Sequence, residues 1–118
     1  MIIKWKNVPD IYNYVCKTLA MEAEDIPIDK IDKGIWYLDE IDISQIITDK
    51  EMIERHDQNS LHIQRRDNFI DLIKKGKEIL PLIILGEDLF LVDGYARYRA
   101  LKKLEINKVK LFRQRFSL

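Results

Sequence analysis

Residues 79 to 85 read ILPLIIL, seven positions in a row without a charged or polar side chain. The run is far shorter than the roughly 20 apolar residues that span a bilayer. An amphipathic helix would interrupt it with polar positions. A short, uninterrupted apolar run bounded by turn residues describes a strand buried on both faces. Such a strand needs neighbours beside it and cover above and below, so the chain must build a layered domain around it. The sequence GED at 86 to 88 supplies a turn, and LFLV at 89 to 92 supplies the returning strand.

The returning strand runs into Asp93-Gly94 and then YARYRALKKL. Ala100, Leu101 and Leu104 recur at helical spacing, which predicts a helix with those residues toward the core. KVKLFRQ, 108 to 114, predicts a last strand, and Asn107 is the residue suited to the left-handed stop between them. Upstream, Pro9 and the repeat Ile11, Val15, Leu19 predict an N-terminal helix of about four turns. IPIDKI and GIWYL, on either side of Gly34, read as extended. TDKE at 48 to 51 fits a capping box before a short helix, KEMIERH. DQNS reads as a polar break, followed by a helix over 67 to 75 that Gly76 stops. The segment RHDQNSLHIQRRDNF reads as a polar surface insertion with a basic face, where Arg65 and Arg66 are the cations best placed for a phosphate.

Strands and helices alternate over 118 residues, enough for one domain. The expected class is α/β (α+β), a small mixed sheet with flanking helices and an extra N-terminal helix. Residues 1–118 form a single domain in this reading, with 1–25 as a helical extension and 26–113 as the core. Lys plus Arg equals Asp plus Glu at 20 each, so a duplex-DNA partner would need a local patch such as the helix RYRALKK. The one cysteine, Cys16, excludes an internal disulfide and a thiolate zinc cluster, and within its helical pattern it reads as a small buried hydrophobe. His56 and His62 lack a third ligand at a recognisable spacing, so no metal site is expected. The first ten residues, MIIKWKNVPD, lack the apolar stretch of a signal peptide, and no run is long enough for a membrane. The expectation is a cytoplasmic protein.

The corner at 93 to 97 carries the functional signal. A helix start presents unbonded backbone N–H groups and the positive end of the helix dipole. Gly94 lets a ligand approach the backbone, and Arg97 lies one turn in, where its guanidinium can fold back toward phosphate oxygens. That is a candidate phosphate site. The alternative is equally physical: Asp93 as N-cap would fill the same amides with its own carboxylate, leaving an ordinary capped helix.

LPLIILGEDLFLVDGYARYRALKKLEINKVKL resembles the core of the ParB/sulfiredoxin superfamily. The similarity lies in Pro81 before an apolar strand, the returning strand, the glycine motif at Asp93-Gly94, Arg97 three residues on, and the helix containing Ala100. NFIDLIKKGKEI resembles the helix before the proline, and IPIDKI the first strand, so the similarity extends over about 26 to 113. The resemblance implies a nucleotide, ATP, ADP or CTP with Mg²⁺, whose phosphates sit on Gly94, Tyr95, Ala96 and Arg97.

The branches of the superfamily differ at this motif. Sulfiredoxins carry a cysteine where Tyr95 stands. Partition proteins carry Glu-Arg-Arg where Tyr95-Ala96-Arg97 stand, and append a DNA-binding domain that is not expected here. The serine-kinase branch carries Asp-Gly-His-His-Arg, of which Asp93, Gly94 and Arg97 match. In that branch a glutamate after the first strand is essential. LDEID offers Asp39, Glu40 and Asp42, and Glu40 is the candidate catalytic carboxylate, with Asp93 as cap or Mg²⁺-side carboxylate. The other reading of LDEID is a solvated acidic loop. Two functions therefore stand: a nucleotide-binding domain that hydrolyses or transfers phosphate, or a non-catalytic DNA- or protein-interaction module that keeps the fold.

Overall fold

A computed structural model describes residues 34–85 and 88–116. The N-terminal helix expected over 9–25, with Cys16, and the IPIDKI stretch lie outside the described residues, as does most of the GED turn. In chain order the described elements are β1 (Gly34–Asp42), a single 3-10 turn (Ile43–Gln45), α1 (Lys50–Gln58), α2 (Ser60–Lys74), β2 (Leu82–Leu85), β3 (Phe90–Asp93), α3 (Tyr95–Lys103) and β4 (Lys108–Phe116). The four strands make one mixed sheet in the order β1-β4-β2-β3. β4 runs antiparallel to β1 and parallel to β2, and β3 returns antiparallel to β2.

The sheet accounts for ILPLIIL. β2 is internal, and Leu82, Ile83 and Ile84 are at most 1% exposed. Successive side chains of a strand point to opposite faces, so both faces are covered. One face carries Ile41, Leu82, Ile84, Leu91, Val109 and Leu111, packed with Tyr95 and Tyr98 of α3 and, through Met52 and Ile53, with α1. Each fully buried aliphatic side chain contributes about 1.5–3 kcal/mol relative to exposure, so this cluster holds the layers together. Between Ile83 and Ile84 the pairing with β3 jumps from Asp93 to Leu91. Val92 is therefore an extra residue in β3, a bulge one position before the corner.

The helices differ from the sequence reading at their ends. Asp49, not Thr48, caps α1, its carboxylate accepting from the amides of Glu51 and Met52. The DQNS stretch is not a loop: a single extended residue, Asn59, ends α1 and caps α2, accepting from the amides of Leu61 and His62. α2 begins seven residues before the expected start at 67. The supposed surface insertion is thus a tight helical hairpin. Gly76 (φ 73°) ends the hairpin as expected, with its amide bonded to Ile73 O and that of Lys77 to Leu72 O. α3 is closed by Glu105 (φ 57°) rather than by Asn107, through the bonds Glu105 N–H to Lys102 O and Ile106 N–H to Leu101 O.

Candidate functional site

β3 ends at Asp93, and α3 begins one residue later. Gly94 occupies the cap position in the left-handed region (φ 98°, ψ 28°) and supplies no side-chain cap bond. Tyr98 is the first amide to find an intrahelical acceptor, Gly94 O at 2.8 Å. The amides of 95, 96 and 97 are therefore the forward-facing donors of an uncapped helix start. A Cβ on Gly94 would stand 2.8 Å from Leu82 Cδ2 and 3.1 Å from Arg97 Nη2, so glycine is required here by space as well as by φ.

Asp93 is not the cap. Its carboxylate, 6% exposed, turns to Arg97 and accepts from Nη2 at 2.7 Å. Arg97 is 8% exposed and is not a free fork: its Nη1 donates to Leu80 O and Pro81 O, both at 3.1 Å. One guanidinium thus fastens the end of β3, the start of α3 and the chain entering β2. The residues that carry the superfamily resemblance, Pro81, Asp93, Gly94 and Arg97, form one contact unit. An arginine suits it because a planar group can serve acceptors in several directions at once.

Tyr95 and Ala96 are buried, so what they offer a ligand is backbone. The Tyr95 hydroxyl accepts from Asp49 N–H and donates to Leu91 O, both at 3.1 Å, joining the start of α1 to β3. Burial is the main cause that pushes its pKa above the ordinary tyrosine value.

Glu40 lies elsewhere. It is an exposed residue of β1 opposite Lys110 of β4. Three strand spacings of about 4.8 Å separate β1 from β3, which puts Glu40 about 14 Å across the sheet from Asp93. LDEID is strand rather than acidic loop, and its other acids have structural partners. Asp39 accepts from Arg113 Nη1 at 3.2 Å, and Asp42 caps the 3-10 turn. The Ser44 amide, then its hydroxyl, hold the Asp42 carboxyl below the usual range. The structure brings together Asp93, Gly94, Tyr95, Ala96 and Arg97, and leaves Glu40 out. Among the described residues no cluster of three His, Cys, Asp or Glu could hold a metal.

Three relationships had no sequence signal. Arg99 is buried, with Nε 3.0 Å from Asp57 Oδ1, Nη2 on the same oxygen, and Nη1 reaching His62 O at 3.5 Å. Tyr98 is packed beside it and bonds the Thr48 side chain. The rings of His56 and His62 stack at 3.9 Å and 8°. His56 also meets Tyr95 edge-on at 5.7 Å, and its buried Nδ1 has no hydrogen-bond partner among the described residues. Burial first, then His62, Arg99 and Arg65, lower the His56 pKa, against a smaller upward pull from Asp57.

The fold is similar to that of two solved structures of a pNOB8-like ParB N-domain. One, in its C2221 crystal form, aligns over 70% of this chain with TM-score 0.54 and 24% identity. The second gives TM-score 0.53 at 24% identity, again over 70% of this chain. This is a ParB N-domain-like fold. The chain spans about a third of the length of those structures, 31% and 29%. No family model matches the sequence, and no curated protein matches it. The ParB-like fold is thus established by architecture. No helix among the described residues is long and apolar enough to cross a membrane.

Proposed function

We propose that this domain binds the phosphates of a nucleotide at the start of α3, through the amides of Tyr95, Ala96 and Arg97, and that it does so without transferring phosphate. The observation that carries the reading is a helix that starts on a left-handed glycine with no side-chain cap, although an aspartate stands next to it. Arg97 draws that carboxylate away at 2.7 Å, so the amides are left for an external anion. Arg97 is a positioning residue in this account. Three amide bonds to a charged phosphate, each worth about 1.5–3 kcal/mol, are in keeping with millimolar to micromolar affinity.

The side chains favour binding over chemistry. Asp93 is engaged with Arg97, and Glu40 is about 14 Å away across the sheet. Among the described residues, neither of these carboxylates fits a Mg²⁺ site at the corner, and Mg²⁺ would arrive on the nucleotide's own phosphates. ATP, ADP and CTP are the ligands to try first. Thermal unfolding against each, and against GTP, with and without Mg²⁺, tests the reading. A ligand at ten times its Kd adds about 1.4 kcal/mol, which moves Tm by several degrees in a domain of this size. No shift with any nucleotide overturns it.

The second reading is a non-catalytic interaction module for DNA or protein. Its support is the exposed pair Lys102 and Lys103 at the end of α3. DNA binding of this kind would fall steeply with salt. A missing mobility shift at low salt would remove its DNA form.

A further inference from the structure

A second feature lies at the other end of α3, on the side where α1 and α2 pack. A groove of about 350 Å³ is lined by Thr48, Ile53, Asp57, Arg66, Tyr98, Arg99, Lys102 and Lys103. Four of these side chains are cationic and one is acidic, in a chain whose overall charge is zero. The single acid, Asp57, is already neutralised by Arg99, which is fixed in place by His62 O as well. Arg66 leans on Asp67, whose side chain is half exposed. Lys102 and Lys103 are exposed; Lys102 also acts through space on Asp42. The surplus of positive charge is therefore concentrated at the mouth of a concave site. The walls are different: Ile53 and the Tyr98 ring supply apolar surface, and the Thr48 and Tyr98 hydroxyls supply polarity.

We infer that this groove is a binding site for a small organic phosphate, separate from the corner at Gly94. Lys102, Lys103 and Arg66 take the phosphate group, and the body of the ligand lies against Ile53 and Tyr98. The volume favours an organic anion over a bare one. A cavity of about 350 Å³ exceeds what one phosphate fills and falls at the lower end of the roughly 300–1,000 Å³ of small-molecule sites. Lys102 and Lys103 are exposed, so a phosphate held there keeps part of its hydration and the site does not require a charge to be fully buried. Lys102 is seven residues beyond Tyr95, about 10 Å along the helix axis, so the groove and the corner are distinct positions.

The test is an amide-resolved NMR titration at fixed ionic strength with inorganic phosphate and with phenyl phosphate. The wild type is compared with a Lys102→Gln/Lys103→Gln variant, whose two changes are on the surface and should leave other resonances in place. The expected result is saturable shifts at Thr48, Lys102 and Lys103, at least tenfold tighter for phenyl phosphate than for inorganic phosphate. In the variant the affinity at those amides should fall at least tenfold. Shifts confined to residues 95–97 overturn the inference while supporting the corner. Equal affinity in the variant, or no saturable shift, also overturns it.

Discussion

Arg97 Nη2 stands 2.7 Å from Asp93 Oδ2, one helical turn away across the strand-to-helix corner, and both side chains are buried. That pair decides the character of the corner. An aspartate beside a helix start would ordinarily bond the first-turn amides. Here it is held by an arginine that also grips Leu80 O and Pro81 O. The helix start is left to Gly94, which has no side chain to offer.

Removing the arginine should therefore injure the fold as well as any ligand site. Arg97→Met leaves a buried carboxylate and two carbonyls without their donor, and should cost about 3–5 kcal/mol in urea unfolding. Adding Asp93→Leu removes the stranded charge, so the double variant should be more stable than the single one. A single variant within about 0.5 kcal/mol of wild type would contradict the assigned contacts.

Gly94→Ala meets two obstacles. Left-handed backbone costs a non-glycine residue about 1–2 kcal/mol. Its Cβ would also lie 2.8 Å from Leu82 Cδ2, and overpacking of that kind adds about 1–3 kcal/mol. Chemical denaturation should show a loss of about 2–5 kcal/mol for the two effects together. A loss below 1 kcal/mol would mean that the corner opens easily.

Tyr95→Phe keeps the ring in the core and removes one oxygen that serves both Asp49 N–H and Leu91 O. The expected cost is about 1–3 kcal/mol with the fold retained. Amide exchange at Asp49 should quicken in the variant. Unchanged protection there would show that the hydroxyl does not hold α1 in place.

Acid should weaken the helical hairpin through His56. Its folded pKa lies below the ordinary 6.5, chiefly because of burial, so the unfolded chain takes up the proton first as pH falls. The stabilisation is complete above about pH 6.5 and is lost as pH drops through the folded value. His62, Arg99, Arg65 and Asp57 all act on this ring. His56→Phe keeps a ring over His62 and should flatten the stability profile below about pH 6.5. An identical slope in the variant would place the titration elsewhere.

The sheet was largely legible in the sequence because its signals are local. ILPLIIL could only be a buried strand, and LFLV with Asp93-Gly94 could only turn back and enter a helix. The hairpin of α1 and α2 was hidden because its faces are half-buried at most. Gln64, Arg65 and Arg66 read as loop, although Asn59 with Ile63, Ile70 and Ile73 was a helix signal. At the corner, the residues of the motif were recognisable but their partners were not. Asp93 as cap and Arg97 as free fork are what spacing suggests. The carbonyls of Leu80 and Pro81, 17 and 16 residues from Arg97 in the chain, come to it only when β2 is laid beside β3. Glu40 lies apart from the corner for the same reason, since sequence order does not show that β4 and β2 intervene.

The most direct test of the central claim is to follow the backbone amides of Tyr95, Ala96 and Arg97 by NMR while CTP, ATP or ADP is added with Mg²⁺. Phosphate binding at the corner should give saturable downfield shifts at these three amides, with the Asp93–Arg97 pair intact and no release of phosphate. Saturable shifts elsewhere with these three unmoved, or no shifts at all, would contradict it.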